Sequence, residues 1–265
     1  RYQALRINPS KTDMDRLIEE TSFQLQPVPW EANGFYYEKE DQPGKPPYHE
    51  AGVYYIQEPS AMAPAAYLDA QPGEKVLDLC AAPGGKSTQI AAAMQGKGLL
   101  VSNEIHPARA KILSENMERM GVKNVMVTNE SPQTLAGMFT EYFDRIMVDA
   151  PCSGEGMFRK NEQACEEWSP ENVQICAARQ QEILACAASM LRPGGRMVYS
   201  TCTFAPEENE GTISRFLEQH PQFHIVPVKK YPGMADGVAA WTKHPAAEIG
   251  DTIRLFPHQL HGEGH

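Results

Sequence analysis

The sequence predicts an α/β fold: a doubly wound, mostly parallel sheet preceded by a small N-terminal α+β module. Two observations carry this. From Glu74 onward, short apolar runs alternate with stretches of helical spacing, as strands buried on both faces alternate with crossover helices. Residues 1–70 read differently, being irregular and rich in Pro, Tyr and Gln, so the chain divides into 1–70 and 71–265.

The first segment predicts a strand over 4–7, a helix over 13–20 and a polar loop over 38–47. In the second, buried strands are expected over 76–80, 99–103, 125–128, 145–149 and 196–200, with helices over 87–94, 107–120, 172–190 and 206–219. Pro107 and Pro206 stand at first-turn positions, and Gly194-Gly195 gives a tight turn into the fifth strand. Ligands of such sheets bind beyond the carboxyl ends of the strands, where Cys80, Glu104, Asp149 and Thr201-Cys202 stand.

At 265 residues, the chain can bury a sizeable core as one large domain or one domain with an appendage. No apolar run approaches the roughly 20 residues of a membrane helix, and Arg1 to Leu5 lack the order of a secretory signal, so a cytoplasmic protein is expected. The six cysteines (Cys80, Cys152, Cys165, Cys176, Cys186, Cys202) form no CxxC pair, and no histidines pair at zinc-ligand spacing. Neither a metal site nor a disulfide framework is expected. A formal net charge of -10 counts against nonspecific nucleic-acid binding, unless a local basic surface or a further domain supplies the phosphate contacts. The chain starts at Arg1 without an initiator methionine and stops at His265 in a strand-forming stretch, so it reads as a piece lacking a C-terminal domain.

Val76-Leu-Asp-Leu-Cys80-Ala81-Ala82-Pro83-Gly84-Gly85-Lys86 reads as a strand, a glycine turn and the opening of a helix, which brings backbone N–H groups close to a ligand. A P-loop needs a glycine where Cys80 stands, and GxGxxG fails because Ala82 and Pro83 precede the glycines. The remaining turn suits an uncharged or zwitterionic nucleoside, with Glu104 placed to accept both ribose hydroxyls. That is the arrangement of an S-adenosylmethionine site. Spacing alone leaves open a plainer reading, in which the glycines only allow a turn and Glu104 is a solvated carboxylate.

Asp149-Ala-Pro-Cys152-Ser-Gly154 ends the fourth strand and Ser200-Thr-Cys202 ends the fifth, so two cysteines and a carboxylate leave one sheet edge on adjacent strands. Cys165, Cys176 and Cys186 lie in or near helices and read as small buried hydrophobes. A thiolate is intrinsically very nucleophilic. Carbon 5 of cytosine is too weak a nucleophile to take a methyl group until a thiolate has added at carbon 6. A carboxyl group, here Asp149, then suits N3, a base must remove the carbon-5 proton, and the thiol must be expelled. The target base must be unstacked.

Asp78-Leu-Cys-Ala-Ala-Pro-Gly-Gly-Lys86, Asp149-Ala-Pro-Cys-Ser-Gly154 and Ser200-Thr-Cys202 resemble the motifs of the Sun family of RNA cytosine-5 methyltransferases, in its bacterial 16S ribosomal RNA branch. Tyr54-Tyr-Ile-Gln-Glu-Pro-Ser-Ala61, Phe256-Pro-His258 and Gly262-Glu-Gly264 extend the resemblance over nearly the whole chain. The resemblance implies a Rossmann-like S-adenosylmethionine-dependent methyltransferase domain behind an N-terminal RNA-binding module. It also implies that Cys202 attacks and Cys152 assists release, whereas in the DNA enzymes the Pro-Cys cysteine attacks. Many members place an aspartate after the third strand to meet the adenine. This chain reads Thr128-Asn129-Glu130-Ser131, so Asn129 or Ser131 is expected to substitute. Cys80 to Lys86, Glu104 and Asp149 complete the expected cofactor set, with RNA as partner and a monomer as the working unit.

Arg159 and Lys160 could touch an RNA phosphate, and Tyr36, Tyr37, Tyr54 and Tyr55 could stack on bases, although a solvated charge pair and core packing are the commoner roles. Transfer RNA is the alternative substrate. A methyltransferase for protein or a small molecule would leave the two strand-end cysteines without purpose, and a ribosome-assembly factor without turnover would need neither Cys202 nor a cofactor site.

Overall fold

Alternation of side chains along strands and recurrence every three to four residues along helices decide which face of each element is buried. The computed structural model describes residues 3–159 and 162–265. The chain opens with β1 (Ala4–Ile7), α1 (Met14–Thr21), β2 (Gln26–Pro27), β3 (Gly34–Tyr36), α2 (Pro47–Glu50) and β4 (Tyr54–Ile56). Asp13 starts α1 by accepting the Arg16 N–H at 2.9 Å. The four strands form an antiparallel sheet in the order β2-β3-β1-β4. Leu5 and Ile7 point into a core with Leu17, Phe23, Phe35 and Tyr54, while Ala4 joins Val28, Trp30 and Met62 on the opposite face. Most of the four tyrosines pack: Tyr54 is buried with its hydroxyl on the Pro43 carbonyl, and Tyr55 lies under Arg6 and Arg119.

The second sheet follows: α3 (Pro59–Leu68), β5 (Lys75–Asp78), α4 (Gly85–Met94), β6 (Leu99–Asn103), α5 (Pro107–Met120), β7 (Val125–Thr128), α6 (Pro132–Met138), β8 (Phe143–Asp149), α7 (Glu162–Glu167), α8 (Pro170–Met190), β9 (Leu191–Ser200) and α9 (Glu210–Gln219). Its order is β7-β6-β5-β8-β9, with every neighbouring pair parallel. The chain runs outward from β5 through β6 and β7, then returns to β8 and β9, so the cleft above the carboxyl ends of β5 and β8 is the switch point. Both faces are covered. Leu77, Val101, Ile146 and Val148 meet α6, α8 and α9 through Leu135, Leu184, Ala187 and Phe216. Val76, Leu100 and Met147 meet α3, α4 and α5 through Leu68, Ile90, Met94, Leu113 and Met117. A separate antiparallel pair, β10 (Met234–Asp236) and β11 (Ile253–Leu255), closes the chain. Among the described residues no helix is long and apolar enough to cross a membrane.

Three expectations change. The helix expected over 206–219 is broken at Asn209 (φ -117°, ψ -94°) into a short 3₁₀ turn, Pro206–Glu208, and α9. The break has a cause: the Asn209 amide donates to the Thr203 and Ala205 carbonyls, and Glu208 is turned fully inward. The Gly194-Gly195 turn falls within β9 as an irregularity in its pairing with β8, Gly194 having φ +75°. Helices α3 and α6 were not expected; Pro59 and Pro132 occupy their first-turn positions, where a missing N–H costs nothing.

Arg6 joins the two sheets. On the face of β1 opposite Leu5 and Ile7, it is wholly buried and donates from Nε to Gln57 (3.1 Å) and from Nη2 to the Gly85 carbonyl (3.0 Å) and the Thr88 hydroxyl (2.6 Å). Burial lowers its pKa to about 10, with the Glu31 carboxylate pulling the other way. Asn8 adds a second tie, donating to the carbonyls of Gly52 and Met120. Arg6→Met strands these acceptors and is expected to cost about 2–4 kcal/mol of stability. A urea midpoint that falls with an unchanged slope is the signature. An unmoved midpoint would show that the interface holds without Arg6.

Candidate active site

The glycine turn after β5 is held from several sides. The Ala81 N–H donates to the Asn103 carbonyl at 2.8 Å, and the Gly84 N–H donates to the Ala81 carbonyl at 2.8 Å. Arg109 reaches the Ala82 carbonyl (3.0 Å) and Asn116 the Pro83 carbonyl (2.8 Å). Gly84 has φ +113°, a conformation that favours glycine, and a Cβ there would stand 3.2 Å from Leu113. The second glycine packs closely too, since a Cβ on Gly85 would meet Gln57 and Tyr55 of the N-terminal module at 3.4 Å.

Below the turn, Asp78 is fully buried, accepting from Ser87 at 2.6 Å while its other oxygen has no hydrogen-bond partner. Burial pushes its pKa up to about 7, against the Ser87 hydrogen bond and with help from the Asp149 charge. Burial likewise raises the Cys80 thiol well above its ordinary value, so Cys80 stays protonated beside the turn.

Glu104 follows β6 with its side chain only 4% exposed; one oxygen accepts the His106 N–H at 3.0 Å and the other lies 3.6 Å from Arg109. A carboxylate has about four acceptor positions, so Glu104 keeps capacity for vicinal hydroxyls. Asn129 donates to the carbonyls of Glu104 and Ile105 (2.7 and 3.0 Å) and thereby fixes the Glu104 backbone. Ser131 caps α6, accepting the Thr134 N–H at 3.1 Å. Asn103, absent from the sequence-derived set, ties Leu79, Thr128 and Glu130 together.

The two strand-end cysteines converge, with their sulfurs 3.3 Å apart. Beside them Asp149 is the hub: Lys86 donates to one oxygen at 2.7 Å, and Ser200 (2.7 Å) and His265 (3.2 Å) contact the other. Burial alone would raise the Asp149 pKa, but the Lys86 and His265 partners outweigh it and hold the carboxyl below the usual carboxylate range. The Cys202 thiol is pulled down to about 7, first by the hydrogen bond from Cys152 and against its burial, with His265 and Lys86 adding. Cys152 moves well upward for the complementary reason, next to the Cys202 charge and under burial. One thiol is poised to ionise and the other to stay protonated.

The loops bearing these thiols are braced. Glu208 accepts the Ser153 N–H (3.1 Å) and the Gln180 amide (2.7 Å), and Gln180 also donates to the Pro151 carbonyl (3.1 Å). The Ser153 and Thr203 hydroxyls pair at 2.9 Å, and the Gly156 N–H donates to the Cys202 carbonyl at 2.8 Å. A cavity of about 360 Å³ opens there, lined by Glu155, Gly156, Phe158, Arg159, Phe204, Pro257 and Glu263. Lys160 lies outside the described residues. Sequence reasoning missed Gln180, Glu208 and His265. Gln180 carried a signal, being a polar residue on the α8 stripe of Val173, Cys176, Ala177, Ile183, Leu184 and Ala187. Of the three helix cysteines expected to be buried, Cys176 of α8 is, but Cys165 of α7 is exposed and Cys186 of α8 half-buried.

The profile of the family described as 16S rRNA methyltransferase RsmB/F matches residues 65–265, and that of the N-terminal domain of 16S rRNA methyltransferase RsmF matches residues 1–59. Ribosomal RNA small subunit methyltransferase F of Vibrio vulnificus (strain YJ016) is 43% identical over 270 residues, covering 99% of this chain and 56% of the relative. The protein of that name from Cronobacter sakazakii is 41% identical over 229 residues, 83% of this chain and 48% of the relative. The chain thus spans about half the length of the curated relatives it matches. A methyltransferase homolog from Pyrococcus horikoshii superposes with a TM-score of 0.85 at 30% identity, over 99% of this chain and 84% of that one. NSun6 from the same organism gives 0.79 at 20% identity over 99% and 88%, a likeness of fold.

Asp78 makes a pH prediction. Its folded pKa of about 7 lies above the ordinary 3.8, so the folded state holds this proton more tightly than the unfolded state. The resulting stability is fully present below the unfolded value and is lost as pH rises toward the folded one. Asp78→Asn cannot ionise and is expected to flatten the decline in unfolding free energy across that window, measured by denaturant titration at several pH values. Equal slopes in the two proteins would assign the titration to another group.

Proposed function

Because the chain belongs to the 16S rRNA methyltransferase RsmB/F family, we propose that it transfers a methyl group from S-adenosylmethionine to carbon 5 of a cytosine in RNA. Small-subunit ribosomal RNA is the substrate, and the cytoplasm the setting, that the relatives' names support. The observation that carries this reading is the pair of thiols 3.3 Å apart, oppositely shifted, beside an ionised Asp149 held by Lys86. A methyltransferase for another substrate class would have no use for such a pair. We propose RNA binding for the N-terminal module, which matches the N-terminal domain of 16S rRNA methyltransferase RsmF over residues 1–59.

The donor set fits the cofactor. Glu104 offers a buried carboxylate at the end of β6, Asn129 fixes its backbone, and the Gly84 turn brings main chain to the switch point. S-adenosylmethionine, when bound, supplies a sulfonium-activated methyl group.

The residues of this chain do the remaining work. The Cys202 thiolate forms a bond to carbon 6, and the electron pair displaced from the 5,6 double bond makes carbon 5 enamine-like. Asp149 is ionised and so accepts, from the exocyclic amino group beside N3, and the Lys86 ammonium it holds is the cation available to the charge developing at N3. While Cys202 is a thiolate, Cys152 donates its S–H to it. Once Cys202 has become a thioether that negative neighbour is gone, and Cys152 releases its thiol proton to solvent more readily. It can then take the proton from carbon 5. The C–H electron pair restores the double bond, the carbon–sulfur bond breaks, and Cys202 leaves as thiolate.

Cys202→Ala is expected to lower methylation of cytosine-containing ribosomal RNA by about three orders of magnitude or more, since the covalent route is lost. Cys152→Ala should instead accumulate a protein–RNA adduct that survives a denaturing gel. Wild-type turnover in the Cys202 variant would remove that cysteine as nucleophile. Glu104→Ala is expected to weaken S-adenosylmethionine binding roughly tenfold or more by calorimetry, as hydrogen bonds to a charged group contribute about 1.5–3 kcal/mol. Undiminished affinity would place the ribose elsewhere.

A further inference from the structure

We propose that His265 is a positioning residue of this centre: it fixes Asp149 beside Lys86 and Ser200 and, when protonated, supplies a second positive charge that favours the thiolate form of Cys202. The inference rests on the reading of Cys202 as nucleophile.

Delivery of the imidazole is built into the fold. The side chain of His265 is 8% exposed, and its Nε2 stands 3.2 Å from Asp149 Oδ1. Its backbone pairs twice with Leu255 of β11, at 3.1 Å in each direction. Immediately before it, the Glu263 N–H donates to Glu58 (2.7 Å) and the Gly264 N–H to the Ser60 hydroxyl (3.1 Å), both at the start of α3. Gly264 has φ +103°, and a Cβ there would lie 2.4 Å from the Phe204 ring. Elements distant in sequence therefore press this residue into the switch point.

The charges around it give that position a consequence. An ionised carboxylate only accepts, so the His265 Nε2 carries the hydrogen in the contact with Asp149, which leaves Nδ1 as the nitrogen open to a second proton. Asp149 faces the imidazole from β8, and Lys86 pairs with that carboxylate from α4. Cys152 and Cys202 come from the strand-end loops. Arg254 of β11, the strand that pairs with His265, and Glu210 of α9 are bonded to each other and offset one another. Lys86 likewise offsets Asp149. A protonated imidazole adds one positive charge beside Asp149 and so favours the Cys202 thiolate, whereas a neutral imidazole adds none.

The test is the rate at which iodoacetamide alkylates Cys202 as a function of pH, read by mass spectrometry of the Cys202 peptide in the full chain. His265→Gln keeps a donor for Asp149 but cannot be protonated. It is expected to move the thiolate midpoint upward and slow alkylation at neutral pH by about threefold to tenfold, up to one pKa unit. Wild type and variant should converge at alkaline pH, where both are thiolate. Superimposable profiles would overturn the proposal, and so would a variant slow at every pH, which reports access rather than charge. If His265→Gln does not fold, His265→Asn is read in the same way, and a thiolate midpoint unmoved from wild type would refute the coupling. Neither measurement needs cofactor or RNA, so each reads His265 whether or not the methylation reading survives.

Discussion

Taking a carboxylate and an ammonium largely out of water is expensive, and their mutual attraction repays it only when the remaining donors and acceptors are also satisfied. The Lys86–Asp149 pair meets that condition, since Ser200 and His265 occupy the second carboxylate oxygen. The pair constrains everything near it. Lys86 belongs to the first turn of α4, directly after Gly84-Gly85, Asp149 ends β8, Ser200 ends β9, and His265 lies beyond β11. One carboxylate therefore sets the relation between the glycine turn and the loops that carry the two thiols.

The same hub explains why two chemically identical side chains differ. Cys152 and Cys202 share a hydrogen bond, and in such a pair the first proton leaves from the sulfur with more positive surroundings. Cys202 has His265 and Lys86 on its side against Asp149, while Cys152 has the Cys202 contact, burial and then Glu208 holding it protonated. Glu208 is also the brace of the Cys152 loop. Gln180, Ser153, Thr203 and Tyr199 extend the network around Glu208, one of whose carboxyl oxygens is buried without a partner.

The N-terminal sheet takes part in this arrangement. Arg6 and Gln57 reach α4 within one turn of Lys86, and Glu58 and Ser60 hold the segment that presents His265. The module thus contacts the centre from two directions, through the start of α4 and through the strap after β11. Its antiparallel order and opposite-facing cores leave Arg6 pointing toward the larger sheet.

Periodicity by itself determined the parallel sheet, because strands covered on both faces are apolar throughout, and it located β6, β7 and the carboxyl ends where the site lies. Cys152, Asp149, Cys202, Glu104 and the Gly84-Gly85 turn were legible for the same reason: their chemistry stands at strand ends. Helices α3 and α6 and the break at Asn209 were not, since prolines and a buried glutamate act through contacts that local propensity does not contain. Which thiol ionises, that Asp149 is an acceptor, and that Gln180, Glu208 and His265 belong to the centre were decided only by the tertiary structure. Those properties depend on burial and on charges brought together from positions 86, 149, 202, 208 and 265, and neither exists before the chain has folded.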